Sequence, residues 1–430
     1  MMKKIITSIL FLTTTFSYAQ ERCGFGLAEK GKAKNPAWMR QKAEFEYQLS
    51  ENLNKNDGVN LRIAATIYKI PVVVHVIHNN PVGVIGGANN ANISDAQIQS
   101  QLVALNEDYR RKVGTNGFNT NPVGADMEIE FVLATKDPSG NVTTGITRTY
   151  INQTSWNLLG DSQTIADKIR WDYQKYLNIW VMRSDGSTIG YSAFPYDSKL
   201  IGLGATTQDI KDQTIFDGVI IDYRNFGTCC GNLSTTYNLG RTTTHEVGHW
   251  LGLLHPNGDE NCGTDYCNDT PTIESLNLST NCNKITSNCN NVKTTNMIEN
   301  YMDYSPDRCM NLFTNDQKNR TRAALDLSIT RKKLLQSLSV LPETDKLTIS
   351  IEPNPIFNTT NAFIKTQFKG QTKIIVDVFD IRGILVYEDS FDNLASSYVT
   401  LKTDKMRTGT YVVRVTAGTE VASQKIIVEK

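Results

Sequence analysis

The stretch His245-Glu246-Val247-Gly248-His249-Trp250-Leu251-Gly252-Leu253-Leu254-His255 constrains this chain more than any other. Two histidines four apart on a helix lie about 40° apart around its axis, so His245 and His249 aim their imidazoles at one point from adjacent turns. Glu246 sits beside that point without occupying it. Gly252 takes left-handed backbone at little cost, which ends the helix and lets the chain turn back, so that His255 supplies a third nitrogen from outside. Three neutral imidazoles around one open coordination position describe a catalytic zinc site, whereas structural zinc usually has four protein ligands, commonly with thiolates. The competing reading is an amphipathic helix with ordinary surface or core histidines. Three of only five histidines fall inside this one window, which argues against it. His75 and His78 make the contrast: three apart in a strand-like stretch, they point to opposite faces and are not expected to be ligands.

A catalytic centre needs a domain around it, and 430 residues with 40% hydrophobic content suffice for two or three. The 44 basic and 44 acidic residues balance, so a nucleic-acid partner reached by bulk charge is not expected. Residues 1–19 combine Lys3 and Lys4, the apolar run Ile5 to Leu12 and a Ser17-Tyr18-Ala19 ending, which is a secretory signal peptide with cleavage before Gln20. No later stretch reaches the ~18 apolar residues of a transmembrane segment. The protein is therefore expected to be secreted, and its eight cysteines suit an oxidising compartment.

Residues 20–62 form a charged, helical stretch with few large apolar groups, unable to build a core alone. Cys23 near its start has a possible use, because its thiolate is a good zinc ligand and would fill the open position. Residues 20–62 then read as a pro-segment, with Cys23 as latency switch and Arg62-Ile63 as a plausible cut site. A plain disulfide at Cys23 is the alternative.

The catalytic domain is placed at residues 63–336. Tyr68 to Ile77 reads as a buried strand, and Ser94 to Arg111 as a helix opened by a capping box of Ser94 and Gln97. Ile129 to Ala134, Leu177 to Met182 and Gly218 to Asp222 are further strands, giving a mixed α/β (α+β) half on which the histidine helix packs. Beyond His255 the chain turns irregular and rich in Asn, Asp, Thr and Cys. Asp265 and Asp269-Thr270 offer clustered oxygens for a calcium staple, with solvated loop carboxylates as the alternative. Thr314 to Gln317 caps a helix running to about Leu335, whose basic last turn, Arg331-Lys332-Lys333, suits the helix dipole.

After a polar linker at residues 337–345, residues 346–430 change texture to seven short alternating strands, the pattern of a small β-sandwich. Asp380-Ile381-Arg382-Gly383 reads as a turn between two of them. No His or Cys occurs there, so chemistry is not expected in that domain.

Taken together, the histidine motif, Asp269-Thr270-Pro271, Tyr301-Met302-Asp303-Tyr304, Cys309-Met310 and Phe313-Thr314 resemble the pappalysin (cytophagalysin) family of metzincin metalloproteases, over roughly Ile63 to Leu335. That resemblance implies a zinc-dependent endopeptidase acting on protein or peptide substrates. It implies zinc on His245, His249 and His255, Glu246 as general base, Met302 as the Met-turn residue and Tyr304 as a stabiliser of the tetrahedral intermediate. It further implies calcium near Asp265, Asp269 and Thr270, and disulfides Cys262–Cys289 and Cys282–Cys309. Cys23-Gly24 resembles the latency switch of ulilysin-like members. Cys229, Cys230 and Cys267 depart from the pattern, and one of the adjacent pair is a candidate to bridge to Cys267. The carboxyl-terminal domain, with Glu352-Pro353-Asn354-Pro355, Gly409-Thr410-Tyr411 and a closing Lys425 to Val428, resembles sorting domains of the type IX secretion system. The type IX machinery would then be a partner, with a carbohydrate- or surface-binding sandwich as the alternative. A secreted zinc-fold adhesin and a zinc amidase are the competing functions, the first disfavoured by retention of Glu246 and Tyr304, the second by the Met-turn and the latency segment.

Overall fold

A computed structural model describes residues 22–57, 67–195, 216–337, 340–341, 347–357, 361–368, 372–394 and 397–430. The expected leader at 1–19, the expected cut site Arg62-Ile63 and most of the expected linker lie outside them. In chain order the first elements are α1 (Phe25–Lys32), α2 (Pro36–Asp57), β1 (Tyr68–His78), α3 (Asp95–Tyr109), β2 (Ile129–Leu133) and β3 (Ile146–Tyr150). Then follow α4 (Ser162–Lys168), β4 (Leu177–Met182), β5 (Gly190–Ser192), β6 (Val219–Asp222) and the histidine helix α5 (Arg241–Trp250).

The β-branched run Val72-Val73-Val74 puts β1 at the centre of the catalytic sheet, because only a strand covered on both faces can be apolar throughout. The strands lie in the order β2-β1-β4-β6-β5, with β3 also on β1. All pairs are parallel except β5 with β6, so the short β5 forms an antiparallel edge. α3 and α5 pack together on one face, where Ile98, Leu102 and Leu105 meet Val247, Trp250 and Leu251 in a single buried cluster with the sheet. Burying that many aliphatic and aromatic side chains is the main stabilising term, at roughly 1.5–3 kcal/mol for each large one. His75, in the middle of β1, is a core residue held by Thr147 and Asn178 at 2.7 and 2.9 Å.

The segment at 22–57 has no core of its own and borrows one. Trp38, Phe45 and Leu49 of α2 join Tyr173, Ala323 and Ala324 in a separate buried cluster. Beyond α5 the chain is held by a hairpin of β7 (Thr286–Cys289) and β8 (Val292–Thr295), and by disulfides Cys262–Cys289 and Cys282–Cys309. The bridge expected between Cys267 and the adjacent pair is absent. Cys229 bonds to its neighbour Cys230, and Cys267 is a buried free thiol.

Three helix expectations are corrected. The long helix after Thr314 is two, α6 (Asn315–Leu327) and α7 (Ile329–Leu335). Ser328 sits between them in extended backbone, and its hydroxyl accepts from the Arg331 amide, the competition with helix that short hydroxyl side chains offer. Thr314 and Gln317 do form a reciprocal capping box on α6. On α3 only half of the box forms: Ser94 accepts from the Gln97 amide, but the Gln97 side chain donates to the carbonyls of Tyr223 and Phe226. Arg331 serves no helix dipole at the surface, being buried on the Trp250 ring and paired with Asp217 at 2.6 Å.

The carboxyl-terminal part is a sandwich of a five-stranded and a three-stranded sheet. Its described residues form eight strands: β9 (Thr348–Glu352), β10 (Ile356–Phe357), β11 (Asn361–Gln367), β12 (Thr372–Asp380), β13 (Leu385–Leu394), β14 (Ser397–Lys402), β15 (Gly409–Ala417) and β16 (Glu420–Glu429). β10, two residues long, is the one that patterning misses. The sandwich rests on α3, where Phe363 and Tyr398 join the catalytic core and Gln99 donates to Glu352 at 2.8 Å. Among the described residues no helix is long and apolar enough to cross a membrane.

The Arg331–Asp217 pair sits directly beneath α5, since Arg331 also donates to the Trp250 carbonyl and Asp217 accepts from the Trp250 indole. Asp217→Ala strands a buried guanidinium, and denaturant titration should show a loss of about 3 kcal/mol. A loss indistinguishable from zero would mean the pair carries no part of the helix's placement.

Candidate metal centre

α5 begins at Gly240, whose φ of 79° is the left-handed conformation that admits a tight entry. An acidic group from a distant loop holds its start: Asp307 Oδ2 accepts from Leu239 N, just before the N-cap, at 2.9 Å and from Arg241 N, the first helical amide, at 3.1 Å. From this helix His245 and His249 project to one side, and Gly252 (φ 97°) turns the chain so that His255 meets them. The three Nε2 atoms lie 3.1–3.2 Å from one another.

Their protonation follows from the partners of the opposite ring nitrogens. His245 Nδ1 faces the Tyr301 carbonyl at 2.8 Å, His249 Nδ1 the Leu253 carbonyl at 2.8 Å, and His255 Nδ1 the Asp259 carboxylate at 2.6 Å. These partners only accept, so each Nδ1 carries the proton and each Nε2 presents a lone pair. Burial, and then the neighbouring rings, hold His245 and His249 well below the usual imidazole range, so both are neutral. Three lone pairs aimed at one another at hydrogen-bond distance repel, and a cation between them removes the repulsion. The donor set is that of a zinc ion, with the orienting acceptors such ligands ordinarily have.

A fourth ligand atom is present. Cys23 Sγ joins the three imidazoles, all four ligand atoms lying within 4.8 Å of one another, the one such group among the described residues. The segment is seated there by main chain as well, since Cys23 bridges β5 at Gly190 and Gly24 N donates to the Gly190 carbonyl at 2.9 Å. Phe25 stacks on His249 with centroids 4.1 Å apart. Arg22 enters a buried pocket, donating to the Ser305 carbonyl at 2.7 Å and to Asp307 at 3.3 Å, with its guanidinium over the Tyr237 ring. Burial, and next the Glu246 charge, push the Cys23 thiol well up.

Glu246 lies beside the imidazoles, fully buried, and accepts from Ser192 Oγ at 3.0 Å. Burial pushes its carboxyl up to about 7, against the hydrogen bonds from Cys23 and Ser192 that pull it down. Gly190 leaves it room, because a Cβ there would come within 2.6 Å of Glu246 Oε1. Met302 packs against the helix just before His249, its sulfur so close to Gly248 that a Cβ on that glycine would meet it at 2.4 Å. The Tyr304 ring packs against His255 at 5.0 Å, and its hydroxyl reaches the Cys23 carbonyl at 3.5 Å.

Asp265, Asp269 and Thr270 lie apart from this centre. Thr270 Oγ1 donates to Asp265, Cys267 N does likewise, and Asp269 accepts from Asp316 N at 3.0 Å. Among the described residues, neither carboxylate belongs to a group of three His, Cys, Asp or Glu ligand atoms close enough together to hold an ion. Sequence reasoning missed Arg22, Ser192, Asp259 and Asp307. Asp259 alone had a local signal, standing four residues beyond His255; the others are brought in only by folding.

A family model described as pregnancy-associated plasma protein-A, peptidase M43, matches residues 160–326, and one described as a secretion system C-terminal sorting domain matches residues 342–429. An extracellular metalloprotease of Colletotrichum graminicola is 32% identical over 279 residues, 64% of this chain and 83% of that protein. A promirolysin mutant of Tannerella forsythia is 33% identical with a TM-score of 0.60, matching 74% of this chain and 98% of that one. Mature mirolysin in complex with a cleaved peptide is 36% identical with a TM-score of 0.53, matching 64% of this chain and 98% of that one.

Asp259 holds His255 by one oxygen, while its Oδ2 has no hydrogen-bond partner. Asp259→Ala should weaken metal binding about 10–100-fold with the fold intact, as removal of such an orienting carboxylate typically does. Competition against a chromogenic chelator measures it, and an unaltered affinity would show that His255 needs no support.

Proposed function

The chain belongs to the pregnancy-associated plasma protein-A (M43) family of extracellular metalloproteases and carries a secretion sorting domain, and from this we propose that it is a zinc endopeptidase made as a latent zymogen. The observation that carries the proposal is the convergence of three Nε2 lone pairs with a buried carboxylate beside them. We assign the zinc to His245, His249 and His255. A zinc ion there would supply a Lewis acid for the scissile carbonyl and the attacking water.

The chain's own residues supply the rest. Glu246, with its carboxyl raised to about 7 by burial, is matched to taking a proton from water near neutral pH and passing it to the leaving amine. Ser192 fixes the orientation of its carboxylate. The edge of β5 that pairs with Cys23-Gly24 would offer the same main-chain hydrogen bonds to an extended peptide. The Tyr304 hydroxyl, beside the His255 ring, is placed to donate to the oxyanion, a contact worth on the order of 3 kcal/mol. Met302 supports the ligands from below. The Asp307 pocket that holds the Arg22 guanidinium would take a basic side chain of a substrate in its place.

Latency is supported by the seating of residues 22–57. Cys23 stands where the substrate's carbonyl has to bind, and Phe25 covers His249. Promirolysin matches ten percentage points more of this chain than mature mirolysin does (74 less 64), the scale of a 20–62 pro-segment. We read 1–19 as its leader, 63–336 as the catalytic domain, and 346–430, after the 337–345 linker, as the part that hands the chain to the type IX machinery. Calcium near Asp265, Asp269 and Thr270 has one support, an Asp269 oxygen without a hydrogen-bond partner.

Glu246→Ala should bind zinc as the unaltered protein does, measured by metal analysis, yet lose at least about 10²-fold in casein cleavage, the usual worth of a positioned base. Retention of full activity would refute the mechanism. Cys23→Ser should shorten the lag before self-processing, followed by electrophoresis over time. A lag equal to or longer than that of the unaltered chain would show that the thiol is no lock.

A further inference from the structure

The N-terminal segment buries a second charged side chain in the body of the enzyme besides Arg22. Glu46, in the middle of α2, pairs with both terminal nitrogens of Arg320 on α6, at 2.6 and 2.8 Å. Arg320 is 1% exposed, its Nε donates to the Gly252 carbonyl at 2.8 Å, and its guanidinium lies over the Tyr266 ring at 5.4 Å. One side of the guanidinium is thus fixed by main chain three residues past His249, while the paired donors face a carboxylate that belongs to the segment. Arginine keeps its charge whatever happens to that partner.

An apolar path links this position to the metal centre. Phe194 contacts Phe25, the residue stacked on His249, with centroids 5.4 Å apart, and contacts Phe45, the neighbour of Glu46, at 5.7 Å. With α1 and α2 gone, Phe194 would floor the vacated surface, with the imidazoles at one end and, at the other, two guanidinium donors released from Glu46 that still feel the Asp265 charge. The one peptide seen on that surface presents an anion to Arg320. We propose that Arg320, held by the Gly252 carbonyl and flanked by Tyr266, is a substrate subsite that takes a peptide carboxylate, from an acidic side chain or a free carboxyl terminus. The proposal rests on the zymogen reading above.

The test uses the full chain after it has processed itself. Peptides carrying Glu or Gln at each position around the cut, with free or amidated carboxyl termini, are compared by kcat/KM. At one fixed position the Glu/Gln ratio should be on the order of ten, the effect of one charge-assisted bidentate contact. Arg320→Gln should collapse that ratio to about one, and Arg320→Lys, which keeps the charge but not the fork, should leave an intermediate value. If only the free terminus matters, amidation removes the preference while the side-chain exchange does not. A ratio near one at every position in the unaltered enzyme, with amidation also without effect, overturns the subsite, as does a ratio that Arg320→Gln leaves unchanged. Should Arg320→Gln fail to fold, the unaltered enzyme and the lysine variant still decide. If residues 22–57 stay bound to an active enzyme in mass spectrometry, the zymogen reading falls first and the subsite with it.

Discussion

Three imidazole nitrogens with their lone pairs facing one another at 3.1–3.2 Å are unstable company without a cation, and the catalytic domain is arranged to keep them there. The arrangement works through the opposite ring nitrogens. Their acceptors come from three places: the Tyr301 carbonyl of the loop carrying Met302, the Leu253 carbonyl just past the helix, and the Asp259 carboxylate of the following loop. Each fixes a tautomer as well as an orientation, so the metal site is specified by hydrogen bonds one layer out from the ligands.

A buried polar network ties that layer to the rest of the domain. Asp108 at the end of α3 accepts from Arg241, from Thr244 just before His245, and from the Tyr301 hydroxyl. Burial pushes the Asp108 carboxyl up to about 6, which Arg241 and the two hydroxyls oppose. One carboxylate thus grips both the helix carrying His245 and the residue whose carbonyl orients it. Such networks are costly half-satisfied, which makes the geometry close to all-or-none.

The same economy of parts appears in the N-terminal segment, which lacks an apolar core and uses the enzyme's. Arg22 takes Asp307, the cap of α5; Cys23 and Gly24 take the β5 edge; Phe25 takes the face of His249; Glu46 takes Arg320. On the zymogen reading proposed above, each contact occupies a feature that peptide hydrolysis would use, so that the segment would block the surface and record what it accepts.

How much of this was legible depends on the range of the interactions. Strong periodic signals located β1, α3, β4 and the alternating strands of the sandwich, because burial of one face or both is written into spacing. Three strands of the catalytic sheet and the sandwich were not legible: β5 and β10, with three and two residues, are too short to show a period, and β3 is nowhere fully buried, so no face of it is marked by apolar residues. β5 matters most, because its edge holds Cys23-Gly24. Ser328 looked like the interior of one helix and splits it in two, since whether a hydroxyl caps or points to solvent is settled by neighbours distant in sequence. Arg331 looked like a surface charge and is a buried ion pair for the same reason.

The sequence by itself determined the donor set, because the offsets of His245, His249 and Gly252 act through local helix geometry that needs no other part of the chain. It also carried the change of side-chain texture from which a boundary near residues 337–345 was expected. Only the tertiary structure decided which groups orient the imidazoles, that Cys229 closes on Cys230 and leaves Cys267 free, and that Arg22 and Glu46 find Asp307 and Arg320. The two ion pairs join residues 285 and 274 positions apart, a separation that carries no local spacing from which they could be read, and the closer pairings turn on loop conformations that spacing alone does not fix.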